Sequence, residues 1–159
     1  MSASILAFAE SMRINATGMF DITREMADLI AQSGGGTIVN IASMQGIFGA
    51  DFSLYEGTEM DSPPDYHFHK GGMITLTKYL ARKMASKKVR VNCISPGYIQ
   101  TELIATLKDL LPVWLAKMPE GGRLGFPEDL IGAFVYFASD ASLFATGSDL
   151  AVDGGYTIL

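Results

Sequence analysis

Apolar positions along this chain fall into two alternating patterns, and that alternation predicts the fold. Over residues 4–32, Ile5, Phe8, Met12, Met19, Ile22, Met26 and Leu29 recur at intervals of three, four or seven, which is the spacing of one helix face. One long helix is therefore expected over 4–32, stopped by Gly34-Gly35-Gly36. Residues 37–42, Thr-Ile-Val-Asn-Ile-Ala, are rich in β-branched side chains and predict a buried strand. A second helix is expected over 65–86. A second strand is expected over 89–95, broken by Pro96-Gly97. Residues 101–120 read as a lid, an amphipathic helix interrupted at Pro112. Pro127-Glu128-Asp129 opens another helix, with proline in the first turn and acids at the positive end. A last strand, Ser148 to Val152, closes on Asp153-Gly154-Gly155.

Strands separated by helices imply right-handed parallel crossovers. The expected fold class is α/β, with about three parallel strands and flanking helices in one unit over 1–159. Between the first strand and the second helix lies a connection, 43–64, of a length that usually carries function. With 159 residues, 48% of them hydrophobic, and a mean hydropathy of +0.24, the chain can bury a real core.

Charge narrows the partners. A net charge of −5 and a pI near 4.9 disfavour nucleic acid. The densest basic cluster, Lys87-Lys88 with Arg90, reads as a helix end. The lone Cys93 sits in the second strand and reads as an inert core thiol in a reducing compartment. The start lacks the basic stretch of a signal peptide, and no apolar run is long enough for a bilayer. The expected location is the cytoplasm, with no membrane partner.

Candidate chemistry sits at the strand ends and on the second helix. Tyr66 and Lys70 are four apart and share one helix face. An ammonium beside a phenol favours the phenolate, which makes the pair a candidate general acid/base. Such a pair also arises by chance. Ser43 ends the first strand, where open α/β sheets bind ligands; a plain turn serine is the alternative. Pro96-Gly97 ends the second strand, and Thr101 follows as a ligand hydroxyl, a helix cap, or both. His67 and His69 point apart on a helix, so no shared metal is expected, and both read as solvated or pocket-rim residues.

Taken in order, these pieces resemble the short-chain dehydrogenase/reductase family. The resemblance runs from Asn15 to Gly155. It rests on Asn15 to Phe20, Thr37 to Gly46, Tyr66 to Lys70, Arg90 to Thr101, and the C-terminal run from Gly122 to Gly155. It implies the C-terminal half of a Rossmann-type doubly wound sheet, and carbonyl/alcohol redox chemistry with NAD or NADP. By resemblance Tyr66 is the acid/base, and Lys70 binds the nicotinamide ribose and lowers the tyrosine pKa. Ser43 holds the substrate oxygen, and Asn15 supports a proton-relay water. Pro96, Gly97, Ile99 and Thr101 flank the nicotinamide. The family's two long helices build a dimer interface, which implies a homo-oligomer; an interaction protein without catalysis is the second reading. The family's glycine-rich phosphate loop has no counterpart in this sequence, and the expectation is of a shortened chain. The interval from Ser43 to Tyr66 is about ten residues longer than the family's usual one. Within it Tyr55-Glu56-Gly57-Thr58 resembles a bacterial subgroup, some of whose members act on surface sugars. The implied substrate is a small alcohol or carbonyl compound, sugar-like by that last resemblance.

Overall fold

The computed structural model describes residues 4–102, 104, 111–119 and 122–158. Three parallel strands form one sheet in the order β1 (Gly36–Ile41), β2 (Val89–Pro96), β3 (Asp149–Val152). Parallel strands need crossovers. The first contains α3 (Pro64–Met84), and the second contains α4 (Leu111–Ala116) and α5 (Ile131–Ala138). Ahead of β1 run α1 (Ile5–Met12) and α2 (Gly18–Gln32). The architecture is α/β, as the alternation of patterns predicts.

The pleat decides which helix meets which side chain. Val89, Val91 and Cys93 on β2 are fully buried and pack with Ala27 of α2 and Met73, Leu80, Ala81 and Met84 of α3. Alternate positions turn to α5. There the Thr37 hydroxyl and the Arg90 guanidinium both donate to the Phe137 carbonyl, at 3.1 and 3.2 Å. Helices thus cover both faces of the sheet.

Arg90 departs from expectation. It lies inside β2, and its guanidinium donates to the Phe137, Ser139 and Ala145 carbonyls and the Ser142 hydroxyl. It satisfies orphan carbonyls at the end of α5, a partner distant in sequence. Lys87 pairs with Asp28 of α2 at 3.1 Å.

The expected single helix over 4–32 is interrupted by a π-turn, Arg13–Thr17, centred on Asn15. After Gln32 the chain closes in a Schellman motif. Gly35 N–H donates to Ile30 O and Gly34 N–H to Ala31 O, with Gly34 at φ +98°. The triple glycine therefore ends a helix and enters β1. Connection 43–64 is partly ordered into two short 3-10 turns, Met44–Gly46 and Phe52–Tyr55. Within the expected lid, 101–120, residues 103, 105–110 and 120 lie outside the described residues. Pro112 is the second residue of α4, where a missing N–H is tolerated.

Candidate active site

Parallel strands present their carboxyl ends at one edge of the sheet, and the candidate residues gather there. Ser43, Tyr66, Lys70, Pro96, Gly97, Ile99 and Thr101 all line one cavity of about 590 Å³. The chain's chemistry is thereby assembled from three separate segments.

Ser43 follows β1 in an extended conformation and is buried. Its Oγ accepts the Gln45 N–H at 3.2 Å. That bond turns the chain into the first 3-10 turn and leaves the hydroxyl hydrogen free. Tyr66 lies in the first turn of α3, which Pro64 opens and Asp65 stabilises at the positive end. The Tyr66 hydroxyl has no hydrogen-bond partner among the described residues. Its ring meets His69 edge-on at 5.2 Å.

Lys70 lies one turn on, with Nζ 5.7 Å from the Tyr66 ring centroid. Nζ donates to the Ile41 carbonyl at the end of β1, at 2.9 Å. Burial holds the Lys70 pKa below its ordinary value. The ammonium is thereby fixed beneath the phenol ring, with two donor hydrogens left over.

Gly46 explains how the Ser43 loop comes so close to this helix. A Cβ there would sit 2.7 Å from the Lys70 carbonyl carbon and 2.8 Å from the Gly71 nitrogen. Only a glycine allows that approach.

The stretch after β2 suits a flat amide. Gly125 N–H donates to Tyr98 O, and Gln100 N–H donates to Gly125 O. In this parallel bridge the neighbours of Ile99 make the bonds. The N–H and C=O of Ile99 itself have no partner among the described residues. A donor and an acceptor on one residue match a carboxamide. Thr101 Oγ1 accepts the Ile104 N–H at 3.3 Å, the capping role expected of it, and keeps its own hydrogen. These residues fit a nicotinamide ring on structural grounds.

Asn15 is not brought to this cavity. Its side chain is exposed and donates to the carbonyl and hydroxyl of Ser11. Ser11 in turn donates to Asp65 at 2.5 Å. Asn15 lines a separate cavity of about 150 Å³ beside Phe68 and His69. No described hydrogen bond joins it to Lys70, whose ammonium is drawn to Ile41 instead.

Each of the two histidines lines a cavity, as expected of a pocket-rim residue. His67 is held between Gln45 O and Ser62 Oγ, each at 2.8 Å from a ring nitrogen. A carbonyl only accepts, so Nδ1 carries the proton and Nε2 accepts from Ser62 in the neutral ring. The ring ties both ends of the connection to α3. His69 is buried against Tyr66. Burial, and then the Lys70 ammonium, hold its pKa below the ordinary 6.5, against a smaller opposing effect of Asp65. The unfolded imidazole therefore takes a proton before the folded one does. The stability this provides is present above about pH 6.5 and is lost as pH falls through the folded value. His69→Phe should flatten the fall in Tm below that pH, read by thermal melts of both forms across the range. Equal slopes would remove His69 from the account.

Several wall residues carry no sequence motif. Trp114 of α4 stacks on Tyr98 at 4.6 Å and packs on Leu54 and Tyr55 of the connection. Lys117 Nζ pairs with Asp51 at 2.8 Å and meets Ser53. The connection and α4 thus form one roof. Apolar spacing marks Trp114 only as lid or core. Its Nε1 is the one buried side-chain nitrogen or oxygen without a hydrogen-bond partner among the described residues. Such an orphan costs about 1–3 kcal/mol. Tyr98 is no rival acid/base, because burial pushes its phenol well above the usual range. Cys93 is pushed up to about 12, by burial first and Asp149 second, and stays a core thiol.

Comparison with known proteins bears on the family and the fold. A family model described as enoyl-(acyl carrier protein) reductase matches residues 1–157. Galactitol 2-dehydrogenase (L-tagatose-forming) of Cereibacter sphaeroides is 36% identical over 150 residues, covering 92% of this chain and 56% of that protein. A short chain dehydrogenase from Leptospira borgpetersenii, solved with bound NAD+, superposes with a TM-score of 0.87 at 36% identity over 98% of this chain and 58% of that one. A putative 2-deoxy-d-gluconate 3-dehydrogenase from Agrobacterium tumefaciens with bound NADP gives 0.86 at 33% identity, over 99% and 61%. The chain spans about half the length of the curated relatives it matches. With a family model over nearly all its residues and its candidate site at the strand ends, the chain belongs to the short-chain dehydrogenase/reductase family.

Proposed function

We propose that this chain carries the catalytic half-site of an NAD(P)-dependent oxidoreductase that interconverts an alcohol and a carbonyl. The observation that carries the reading is one cavity lined by Ser43, Tyr66, Lys70, Ile99 and Thr101. Bound nicotinamide supplies or accepts the hydride. The protein residues do the rest. The Tyr66 hydroxyl, free of protein partners, gives a proton to the carbonyl oxygen in reduction and takes it back in oxidation. Ser43 donates its free hydroxyl hydrogen to the same oxygen and orients it. Lys70, fixed by Ile41, holds positive charge beside the phenol, and its remaining donors face ribose hydroxyls. Ile99 and Thr101 hold the carboxamide, which sets the face of the ring turned to substrate. Relatives solved with NAD+ and with NADP support either nucleotide. The galactitol and gluconate relatives support polyols and sugar acids as the first substrates to try.

Self-association belongs to the same proposal. Phe20, Ile22, Met26 and Leu29 on α2 are exposed, as are Phe134 and Val135 on α5. The outer edge of β1 has no partner strand among the described residues. Apolar helix faces and an open edge favour pairing with another copy. Light scattering after size exclusion should show a dimer or larger. Titration of that species with NADH and NADPH, followed by nicotinamide fluorescence, tests the cofactor. The expected result is weak binding that Lys70→Met weakens further. Binding that Lys70→Met and Thr101→Val both leave unchanged would overturn the site.

A further inference from the structure

We propose that Trp114 is a substrate-recognition residue, whose indole N–H donates to a second oxygen of the substrate, remote from the carbon that reacts. The inference rests on the reading of the cavity as an alcohol site. Two independent observations carry it. Trp114 lines the same cavity as Ser43 and Tyr66. It is 3% exposed, and its Nε1 has no acceptor among the described residues. Buried indole N–H groups usually find a partner. Here the described residues offer none. Tyr98 takes one ring face, and Leu54 is an alkyl neighbour. Nε1 is itself covered, so an acceptor entering the cavity that Trp114 lines meets it only after the indole shifts.

The cavity also limits the body of the ligand. Ile41, Met44, Ile104, Pro127 and Leu130 make much of its wall apolar, and Tyr55 adds a second aromatic surface. The reacting oxygen is taken by Ser43 and Tyr66. The chemistry that fits is therefore an alcohol or ketone with a compact apolar frame and one further oxygen acceptor at its far end. That acceptor is a hydroxyl or a carboxylate. A site built to hydrogen-bond such a group discriminates strongly against an analogue lacking it, because the buried donor is then left unpaired.

Trp114 is the single tryptophan of the chain, so its N–H gives one indole resonance in a nitrogen-labelled sample. Three probes share one ring: cyclohexanol, the cyclohexanediol with hydroxyls on opposite carbons, and hydroxycyclohexanecarboxylate with its carboxylate on the opposite carbon. Each is titrated into wild type and Trp114→Phe, which keeps an aromatic ring but removes the donor. The diol or the hydroxy acid should move the indole resonance and bind about tenfold or more tightly than cyclohexanol. The difference between the two names the acceptor. In Trp114→Phe that advantage should vanish, so that the three probes bind alike. Equal weakening of all three probes would mean a packing role and overturn the proposal. So would an unmoved indole resonance while the Ser43, Ile99 and Thr101 amides shift, and that outcome leaves the alcohol site standing. If none of the three disturbs those amides, the alcohol-site reading fails and the proposal with it. Should Trp114→Phe not fold, the wild-type resonance decides alone.

Discussion

Tyr66→Phe should reduce turnover about 10²–10⁴-fold in any preparation of this chain that reduces a carbonyl with NAD(P)H, the size expected for loss of a positioned proton donor. The fold should not notice. The hydroxyl that is removed has no partner among the described residues, and the ring keeps its contacts with His69 and Lys70. Turnover followed by nicotinamide absorbance, with a thermal melt beside it, separates the two effects. Lys70→Met should differ in kind, lowering kcat and raising cofactor KM together, because one ammonium serves both the phenol and the ribose. Full turnover in Tyr66→Phe would sink the mechanism.

Gly46→Ala should be among the most damaging single methyls in the site. The added Cβ would lie 2.7 Å from the Lys70 carbonyl carbon and 2.8 Å from its oxygen. Both are backbone atoms, and neither can rotate away. Overpacking of this severity costs about 3 kcal/mol, a fall in Tm of roughly 6–12 °C for a chain of this size. Whatever relief the structure finds must move the Ser43 loop away from α3. Turnover should therefore fall even at temperatures where the variant is folded. Gly49→Ala is the control from the same loop: nothing lies within 4 Å of its added Cβ, and its φ is ordinary. Matching melts for the two variants would show that the loop does not rest on the helix as described.

Some of this was legible without a structure, for reasons of range. Residues 37–42 and 89–95 announce strands through their β-branched and apolar side chains, and a strand is a property of neighbours in sequence. Tyr66 and Lys70 share a face because four residues make about one helical turn. Strand and helix order, together with the handedness of crossovers, then place Ser43 and Pro96-Gly97 at the same sheet edge. The amino-acid sequence thus determined the α/β class and singled out seven of the residues that line the cleft.

Tertiary structure alone decided how those residues are held. The π-turn at Asn15 is not legible in the apolar spacing: Met12 and Met19 stay seven apart across it, yet Ile22, Met26 and Leu29 beyond it are exposed while Thr23 and Ala27 are buried. Asn15 donates to Ser11, which donates across to Asp65 of α3, and Lys70 is drawn to the Ile41 carbonyl. Arg90 serves the end of a helix that begins more than forty positions later. Gly46 reads as a loop glycine until the Lys70 backbone is set against it. Trp114 reads as lid or core until the residue is placed in the wall of the cleft with its buried nitrogen unpartnered among the described residues. Periodicity reports which side of an element is apolar. It carries no information on which distant group a polar atom meets, since that depends on how the helices and strands pack together in three dimensions.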